Sequence, residues 1–576
     1  MILETLPSAT GTAGADLSPI RAADLLVRQL RIHGIDTVFC VPGESYLAVL
    51  DAMIETDISI TVCRQEGGAA MMAEAYGKLT GRPAACFVTR GPGATNAMPG
   101  LHIAQHDSTP LLMFVGQVER GVRGRGALQE LDYPATFGAI AKWVVEIDDA
   151  RRIPELVSRA MHVALSGRPG PVVISLPEDM LLDIVTARDA QPAQAVEAHP
   201  GPDQVDEIMA MLARAERPVA ILGGSRWTED AVADFVALAE QWRLPVAVSL
   251  RRQMLFPASS DCFIGDLGFG TNPRLAAHIA SADMLLLIGA RMSEVPSQNY
   301  ALIAIPEPDQ AIVQILPDPT ELGRVFRPQL PVCATPTALV AALRTKTADA
   351  SPAREGFLEE ARADYLAWSD PTDIRTPGAL QMGEVMRWLG ERLPDDAVLC
   401  NGAGNFATWL HRFYRFRRFG TQLAPTSGSM GYGIPAAVGA KRTAPDRLVV
   451  AFAGDGDFLM NGQEFATAVQ YDLPIIVILV DNGLYGTIRM HQEREFPGRT
   501  IATSLRNPDF AAYAQAFGGH GETVLDTAEF APAFERAIAS GKPAILHCRI
   551  DPEALTPSMS LSEIRAAAVE RLGQGA

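Results

Sequence analysis

Short apolar runs alternate with stretches of helical periodicity along most of the chain. The runs form three groups: ACFVT, LLMFVG and VVISLP, then VAILGG, MLLLIGA and AIVQIL, and finally LVVAFAG, IIVILV and AILHCRI. Runs of this kind are typical of strands buried on both faces, and helices between them indicate parallel sheets. The pattern therefore predicts an α/β fold with three doubly wound parallel-sheet domains.

Two segments rich in proline and charged residues separate these groups. They are Thr186–Gln204 and Lys346–Gly378, and the second contains a predicted helix around Glu355–Trp368. Such shifts in composition mark linkers between domains. The predicted organisation is a flexible N-terminal tail, three domains and a C-terminal tail, with bounds at 1–19, 20–185, 205–345, 379–551 and 552–576.

Composition narrows the class of protein and its partners. The 576 residues are 48% hydrophobic, and 49 basic against 67 acidic residues give a formal charge of −18. This acidity argues against nucleic acid or an anionic membrane as the main partner. Seven cysteines lie far apart without a CxxC pair, which argues against a disulfide framework or a zinc site. No apolar run approaches the roughly 18 residues of a membrane span, and we expect a cytoplasmic protein.

Polar residues follow two neighbouring strands in the last third of the chain. Asp455 follows the predicted strand Leu448–Ala453, and Asn482 follows the predicted strand Ile475–Val480. Because parallel strands end at the same edge of a sheet, a carboxylate and an amide oxygen can converge there and bind Mg²⁺. Each motif alone is also compatible with an ordinary strand-end turn. Two glycines beside the aspartate would let the backbone approach phosphate groups: Gly454 and Gly456.

This GDG and Asn pattern resembles the signature of the thiamine diphosphate-dependent enzymes. The resemblance implies that Asp455, Asn482 and the backbone carbonyl of Leu484 bind Mg²⁺ beside the cofactor. It also implies that the three domains are a pyrimidine-binding domain, a central Rossmann-like domain and a diphosphate-binding domain.

Two upstream loops, 401–405 and 426–433, resemble the segments that hold the cofactor in that family. The resemblance implies that the Gly428 carbonyl accepts a hydrogen bond from the cofactor's amino group and that Met430 lies beneath the bent cofactor. A methionine there is also compatible with core packing. The implied cofactor-binding residues are Gly402, Gly404, Asn405, Gly428, Met430, Gly454, Asp455, Gly456, Asn482, Tyr485 and Gly486.

Glu66 precedes the predicted helix Ala69–Lys78 in the first domain. A glutamate at a helix N-terminus complements the helix dipole, which is its ordinary role. The resemblance implies a catalytic role, because a carboxyl group in a semi-apolar cleft has a raised pKa and can share a proton with the cofactor's pyrimidine ring. In that family this glutamate and the metal site come from different subunits, so the resemblance also implies a homodimer or homotetramer.

The resemblance extends from Ile20 to about Asp551 and is strongest to the acetolactate synthase-like branch, its catalytic large subunits. Matching segments include VPGES, EGGAAMMAEAYGKLTG, TRGPGATN and LQELD. Gln117 and Gln129 match polar residues that line the family's active site, and Gln129 is the candidate catalytic residue of the two. Each is also compatible with an ordinary strand-end amide.

Three residues depart from that branch where the second substrate is handled. Val295 replaces an arginine that handles the substrate carboxylate, His491 replaces a tryptophan that helps to select the second substrate, and Leu128 replaces a phenylalanine. We interpret these departures as a changed acceptor pocket. His491 is a candidate general acid or base, or else a solvent-facing residue of a polar helix. Glu44 is a candidate substrate-side group, or else a helix cap.

Three strand ends of the central domain carry turn-forming residues. They are Gly223-Gly224-Ser225, Gly289-Ala290-Arg291 and Pro317-Asp318-Pro319. Related synthases hold FAD over these strand ends, so the resemblance allows FAD here. The same glycines also permit tight strand-to-helix turns without any ligand.

These observations predict an enzyme that uses thiamine diphosphate and Mg²⁺ to decarboxylate a 2-oxo acid and to ligate the product to a second carbonyl compound. The small-molecule substrates are then a 2-oxo acid or an aldehyde. The alternative is a simple decarboxylase, or a lyase that cleaves a 2-hydroxy carbonyl compound, without acetolactate formation. A remote alternative is a non-catalytic cofactor-binding homologue, in which Glu66, Asp455, Asn482 or Met430 should have been lost.

Overall fold

Three six-stranded parallel sheets, each flanked by helices, form the chain over residues 18–348 and 351–574, which the computed structural model describes. Every strand pair within these sheets is parallel. The predicted fold class is therefore confirmed. Most of the predicted N-terminal tail, residues 1–17, lies outside the described residues.

The first domain is an open parallel sheet with a ligand crevice at one switch point. Its strands are β1 (Ile20–Arg21), β2 (Thr37–Cys40), β3 (Ser59–Val62), β4 (Ala85–Val88), β5 (Leu111–Gln117), β6 (Trp143–Glu146), β7 (Pro171–Pro177) and β8 (Ile184–Val185). Its helices are α1 (Ala22–Ile32), α2 (Leu47–Met53), α3 (Glu66–Thr80), α4 (Pro92–Asn96), α5 (Met98–Asp107), α6 (Tyr133–Phe137) and α7 (Ile153–Leu165). The sheet order is β3-β2-β4-β5-β7-β6, and β1 pairs antiparallel with β8. Chain order reverses between β2 and β4, so ligands are expected at their carboxyl ends.

The central domain has the strand order of a Rossmann fold. Its strands are β9 (Pro218–Leu222), β10 (Val246–Ser249), β11 (Phe263–Leu267), β12 (Met284–Ile288), β13 (Ala311–Leu316) and β14 (Leu330–Cys333). Its helices are α8 (Pro202–Arg214), α9 (Glu229–Trp242), α10 (Pro273–Ser281), α11 (Pro336–Leu343) and α12 (Pro352–Trp368). The order β11-β10-β9-β12-β13-β14 places the switch point between β9 and β12.

The third domain repeats the topology of the first. Its strands are β15 (Val398–Asn401), β16 (Gln422–Leu423), β17 (Val449–Gly454), β18 (Ile475–Asp481), β19 (His520–Val524) and β20 (Ala544–Arg549). Its helices are α13 (Met382–Arg392), α14 (Phe406–Phe413), α15 (Gly433–Thr443), α16 (Asp455–Asn461), α17 (Phe465–Gln470), α18 (Gly486–Glu495), α19 (Phe510–Ala516), α20 (Thr527–Ser540) and α21 (Leu561–Gln574). The order β16-β15-β17-β18-β20-β19 places its switch point between β15 and β17.

The first and third domains share one hydrophobic core. Buried residues of α3, such as Ala70 and Met72, belong to the same cluster as Ala437 of α15. A Cβ atom on Gly439 of α15 would lie 2.8 Å from the Met72 carbonyl oxygen, so only glycine allows the two helices to cross this closely. The two domains that carry Glu66 and the candidate metal ligands are therefore packed together within one chain.

Two segments differ from the sequence expectation. Within the predicted linker at 346–378, α12 buries Phe357, Leu358 and Tyr365 in the central core. The predicted bound at 345 thus leaves out a helix that packs in this core. The predicted C-terminal tail contains α21, which packs on α18. Its Arg565 Nε donates to Glu493 Oε2 at 2.7 Å.

None of the helices in the described ranges combines the length and the apolar character needed to cross a membrane.

Candidate active site

The crevice between β15 and β17 is organised by the carboxylate of Asp457. Asp457 lies in the first turn of α16, directly after β17, and is buried. Its Oδ1 accepts hydrogen bonds from the backbone N–H groups of Ala403, at 3.0 Å, and Gly431, at 2.9 Å. Burial raises the pKa of Asp457 to about 7. One side chain therefore joins the two glycine-rich loops that the sequence indicated for cofactor binding.

Two of the predicted cofactor-binding glycines are required by close packing. A Cβ atom on Gly402 would overlap the carboxylate of Asp457. A Cβ atom on Gly456 would lie 2.6 Å from the ring of Tyr485. The glycines therefore let the two loops and the start of α18 approach one another at the strand ends.

Two other predicted glycines pack against an aromatic ring, and a third lies in a left-handed turn. A Cβ atom added to Gly404 would lie 2.8 Å from the Phe406 ring, and one added to Gly454 would lie 2.7 Å from the same ring. Gly428 has open space around it but a φ of +69°, which disfavours other residues. Met430, two residues later, is half-buried. Part of the Met430 side chain is therefore accessible beside the turn at Gly428.

Asp455 begins α16 and belongs to a buried polar cluster. Asn507 Nδ2 donates to Asp455 Oδ2 at 2.7 Å and to Asp481 Oδ1 at 2.8 Å. His547 Nε2 lies 2.8 Å from the other oxygen of Asp481. Burial and the neighbouring Asp481 carboxylate raise the pKa of Asp455. Two carboxylates brought together in a buried site favour a cation beside them.

Asn507 was missed by the sequence analysis. It is 52 residues from Asp455 along the chain and lies on a loop between Leu505 and α19. No motif or periodicity marks it, because its partners are brought to it by the fold.

Asn482 and Leu484 lie in the tight turn after β18. Asn482 Oδ1 accepts a hydrogen bond from the Leu484 N–H at 3.0 Å. Antiparallel pairing of Leu484 with Ser504 holds the turn in place. Within the described ranges the Leu484 carbonyl accepts no hydrogen bond, so its oxygen is available to a ligand.

The chemistry of these oxygens fits a magnesium ion. Asp455 offers a carboxylate, Asn482 an amide oxygen and Leu484 a backbone carbonyl. Mg²⁺ prefers such hard oxygen ligands and completes its octahedron with phosphate oxygens and water. A divalent cation would also supply the positive charge that the two buried carboxylates lack.

Asn405 ties the loop after β15 to the start of α18. Its backbone N–H donates to Thr487 Oγ1 at 3.0 Å, and the Thr487 hydroxyl donates to Asn405 Oδ1 at 2.9 Å. Gly486 is close to the candidate metal ligands, since a Cβ atom there would lie 2.9 Å from Asn482 Nδ2. Asn405, Gly486 and Asn482 thus lie near one another at the strand ends of the third domain.

Glu66 is the first residue of α3, three residues before the predicted helix start. Gln65 caps the helix by accepting a hydrogen bond from the Gly68 N–H at 3.0 Å. Asn96 Nδ2 donates to Glu66 Oε2 at 3.0 Å. In the part of one chain that the structure describes, no hydrogen bond joins Glu66 to the Asp455 cluster.

Glu464 of the third domain holds the turn before Glu66. Its Oε1 accepts hydrogen bonds from the backbone N–H groups of Arg64, at 3.0 Å, and Gln65, at 2.9 Å. Burial raises the pKa of Glu464. The sequence analysis missed this residue, because Arg64 and Glu464 are 400 positions apart.

Of the remaining first-domain candidates, Glu44 and Gln129 lie beside the loop after β4, and Gln117 ends β5. Glu44 opens a 3₁₀ turn after β2, and its side chain is 90% exposed. Gln129 is exposed and has a left-handed φ of +64°. Its carbonyl oxygen would lie 2.7 Å from a Cβ on Gly91. Gln117 is buried, and its Nε2 donates to the Leu131 carbonyl at 2.9 Å, so its amide is used inside the domain.

His491 lies on the solvent side of α18. It is exposed, and no hydrogen bond or ion pair to its imidazole occurs among residues 18–348 and 351–574. Leu128 is 78% exposed. The single chain therefore leaves two of the three acceptor-side departures, His491 and Leu128, open to solvent.

Comparisons with known proteins identify the family. The N-terminal TPP binding domain of thiamine pyrophosphate enzymes matches residues 20–136, the central domain 205–343 and the C-terminal TPP binding domain 402–548. The chain is 31% identical to the acetolactate synthase large subunit of Corynebacterium glutamicum, over 92% of this chain and 87% of that protein. It is 30% identical to the acetolactate synthase isozyme 2 large subunit of Escherichia coli K12, over 92% of this chain and 96% of that protein. The chain belongs to the thiamine diphosphate-dependent enzymes of the acetolactate synthase type.

In this acetolactate synthase-type enzyme each matched segment lies within one of the three domains, and the N-terminal match ends before β6 and β7 of the first sheet. The Asp455 cluster lies in the C-terminal match and Glu66 in the N-terminal one. A probable acetolactate synthase large subunit of Methanocaldococcus jannaschii is 28% identical over 93% of both chains. The likeness therefore covers all three domains.

The strand ends of the central domain of this thiamine diphosphate-dependent enzyme line a small cavity of about 20 Å³. This volume is far below that of small-molecule pockets, roughly 300–1,000 Å³. The lining includes all three loops indicated by the sequence, and it also includes Ser108 and Arg168 from the first domain. Arg168 and Arg291 line the cavity together with Asp318 and Glu321, and the Glu321 carboxylate lies within ion-pair distance of both arginines. The lining residues used here are Gly224, Ser225, Gly289, Arg291, Pro317 and Asp318.

Proposed function

We propose that this enzyme uses thiamine diphosphate and Mg²⁺ to decarboxylate a 2-oxo acid and to ligate the remaining fragment to a second carbonyl compound. The relatives named above are acetolactate synthases, so 2-acetolactate from two molecules of pyruvate is the reaction to test first. CO₂ leaves the donor, a C–C bond forms to the acceptor's carbonyl carbon, and the acceptor's carbonyl oxygen takes up a proton. The observation that carries the proposal is that Asp455 and the Asn482–Leu484 turn follow the adjacent strands β17 and β18, beside the Asp457-bound loops, with Asn507 joining Asp455 to Asp481.

We assign the metal and the cofactor to the third-domain crevice. Asp455, Asn482 and the Leu484 carbonyl would bind Mg²⁺. When bound, thiamine diphosphate supplies the electron sink for decarboxylation. The groups that would hold it are the backbones and side chains of Gly402, Gly404, Asn405, Gly428, Met430, Gly454, Gly456, Tyr485 and Gly486.

We propose that the carboxyl group of Glu66 shares a proton with the pyrimidine ring of the cofactor. Its Oε2 accepts from Asn96, and Glu464 fixes the backbone before it, so the carboxyl is held in one orientation. Glu66→Gln is expected to lower kcat roughly 10²–10⁴-fold, since one proton-transferring group is lost. Steady-state turnover of any accepted 2-oxo acid measures this, with the melting temperature as a folding check. Unchanged turnover would remove Glu66 from the mechanism.

We propose a homodimer, or a tetramer of such dimers, in which Glu66 of one chain faces Asp455 of its partner. Two features support it: Glu66 makes no contact with the Asp455 cluster within the described part of one chain, and Leu459 and Met460 of α16 are 48% and 47% exposed. Exposed apolar residues beside a site favour a covering surface.

Mixing two inactive variants tests the shared site. In a mixed dimer of Glu66→Gln and Asp455→Asn chains, a site shared between chains leaves one of the two sites intact, so co-expression should restore activity to about a quarter of the parent's. A site within one chain would leave every site defective. Absence of any restored activity would therefore contradict the shared site.

Product analysis separates ligation from its alternative. The holoenzyme is given pyruvate and other 2-oxo acids, and products are identified by mass. Ligated 2-hydroxy carbonyl products support the proposal. Free aldehyde without any ligated product would instead indicate a simple decarboxylase, which the departures at Val295 and His491 favour.

We propose that FAD, which the family resemblance allows, binds along the strand ends of the central domain, where the small cavity would have to open. The visible absorption spectrum of the purified protein tests this directly. We also infer a cytoplasmic location, supported by seven cysteines that are all unpaired.

A further inference from the structure

Arg90 is a cation at the switch point of the first sheet. It lies on the loop after β4, and Glu44 lies on the loop after the adjacent strand β2. The carboxyl ends of these two strands form the crevice where open α/β sheets bind ligands. The same loop contacts the catalytic candidates, since a Cβ on Gly93 would lie 3.3 Å from Glu66 Oε1 and a Cβ on Gly91 would lie 2.7 Å from the Gln129 carbonyl oxygen.

The Arg90 side chain is anchored and still has unused donors. Its Nη1 donates to Glu178 Oε1 at 3.1 Å, and the side chain is 12% exposed. Its Nη2 lies 3.9 Å from Glu44 Oε2, which is longer than a hydrogen bond. Its Nε is buried and has no hydrogen-bond partner among the residues described. The Nε and Nη2 groups share one edge of the guanidinium, and such an edge matches a carboxylate.

Glu44 does not block this edge. Its carboxylate is 90% exposed and touches Arg90 only at ion-pair distance. Exposed ion pairs of this kind are weak, so a carboxylate ligand can take the place of Glu44.

The chemistry of the two substrates decides which carboxylate Arg90 would bind. The donor 2-oxo acid loses its carboxylate as CO₂, and a fixed arginine would stabilise the group that has to leave. The acceptor keeps its carboxylate throughout. Val295 provides no cation at the position where related synthases bind a substrate carboxylate. We infer that Arg90 binds the carboxylate of the acceptor 2-oxo acid and so selects an acid over an aldehyde; this inference rests on the proposed function.

A competition between two acceptors tests the inference. The holoenzyme receives pyruvate as donor with equal amounts of 2-oxobutanoate and propanal, which differ by the carboxylate. We expect the parent to favour carboxylated products. Arg90→Gln should shift the product ratio toward the propanal-derived product by roughly tenfold to a hundredfold, because a charged hydrogen-bonding partner is lost. Arg90→Lys keeps the positive charge but not the planar guanidinium, so its product ratio should lie between those of the parent and Arg90→Gln.

The matched control is Arg125→Gln, an exposed arginine in the same domain. It should keep the parent's product ratio, and all three variants should keep the parent's melting temperature. A ratio in Arg90→Gln equal to that of the parent would overturn the inference, as would a parent that prefers propanal.

Binding of oxamate separates this inference from the proposed function. Oxamate has the carboxylate of a 2-oxo acid next to an unreactive amide carbonyl, so calorimetry on the holoenzyme measures recognition without turnover. Arg90→Gln should weaken oxamate binding at least roughly tenfold, and Arg125→Gln should leave it unchanged. If the parent makes no ligated product, the proposed ligation fails while the oxamate result still decides carboxylate binding by Arg90. Equal oxamate affinity in parent and Arg90→Gln, or no binding to either, overturns the inference.

Discussion

At the scale of single residues, the candidate cofactor site depends on buried carboxylates that hold backbone N–H groups. Asp457 does this for the two glycine loops, and Glu464 does it for the turn before Glu66. Leaving a buried acceptor without its donors, or the donors without that acceptor, costs more free energy than an ordinary hydrogen bond contributes. The positions of the loops are therefore sensitive to small changes beside these two side chains.

Gly402→Ala tests this sensitivity. The added Cβ would overlap the Asp457 carboxylate, so the loop or the side chain has to move. We expect thiamine diphosphate affinity to fall at least roughly tenfold, and stability to fall by about 1–3 kcal/mol from overpacking. Quenching of tryptophan fluorescence by the cofactor and thermal unfolding measure the two effects.

Gly390→Ala is the control for that substitution. Gly390 lies inside α13 with no neighbouring atom within 4 Å of an added Cβ. Stability should stay equal or rise by up to about 1 kcal/mol, because alanine is the better helix former. Parent-like cofactor affinity in Gly402→Ala would contradict the tight-packing explanation.

At the scale of elements, the first turns of helices present the candidate groups. α16 begins with Asp455 and α3 begins with Glu66, so both carboxylates lie at helix N-termini, where the dipole favours negative charge. α18 begins at Gly486 and carries the exposed His491, and α21 packs on it. The fully buried Glu493 of α18 is held by Arg565 of α21. The C-terminal helix therefore supports the element next to the candidate metal site.

Arg565→Gln is expected to loosen α18. The substitution leaves the Glu493 carboxylate without its charged partner, while the Gly498 N–H still donates to it at 2.9 Å. Amide hydrogen exchange of residues 486–495 should become faster, and exchange in the three sheets should not change. Arg499→Gln, at an exposed arginine near the end of the same helix, should have no such effect. Parent-like exchange in Arg565→Gln would mean that α21 does not support α18.

At the scale of the whole molecule, the three domains meet at Asp107. Its carboxylate accepts hydrogen bonds from Lys78 Nζ, at 2.6 Å, and from the Thr426 N–H, at 2.9 Å. Arg252 of the central domain donates to the Asp107 carbonyl at 3.0 Å. Burial alone would raise the pKa of Asp107, but the positive charges of Lys78 and Arg252 lower it. Thr426 begins the loop that carries Gly428 and Met430, so this junction also sets the cofactor loop.

Asp107→Asn is expected to change the dependence of stability on pH. Because the native pKa is lowered, ionised Asp107 stabilises the fold above the unfolded pKa of about 3.9, and this contribution is lost as the pH falls below it. At neutral pH the variant should be less stable by about 3–5 kcal/mol, since Lys78 and Arg252 lose a buried partner. Between neutral pH and about pH 3, its melting temperature should fall less than that of the parent.

Asp57→Asn serves as the control at the molecular surface. Asp57 is 79% exposed and pairs with Arg31, so its loss should change the melting temperature very little. If the melting temperatures of the parent and of Asp107→Asn fall by the same amount between neutral pH and about pH 3, Asp107 does not carry this pH dependence.

Local pattern was sufficient for the architecture and for part of the site. Apolar runs and helical periodicity encode strands and helices, because burial on both faces of a strand requires a continuous apolar segment. Asp455 and Asn482 could be predicted to converge, since both end neighbouring parallel strands. Single helices were harder: α16 was not predicted, and α12 was placed in a linker although its apolar face packs in the central core.

The amino-acid sequence by itself determined three parallel sheets, the ends of their strands and the residue types at those ends. Only the tertiary structure decided which distant groups meet there: Asn507 with Asp455, Asp457 with both glycine loops, Glu464 with the Glu66 turn, and Glu178 with Arg90. The reason is physical. Secondary structure follows from the spacing of neighbouring residues, whereas these hydrogen bonds join residues 26 to 400 positions apart, which come together only when the sheets and their helices have packed.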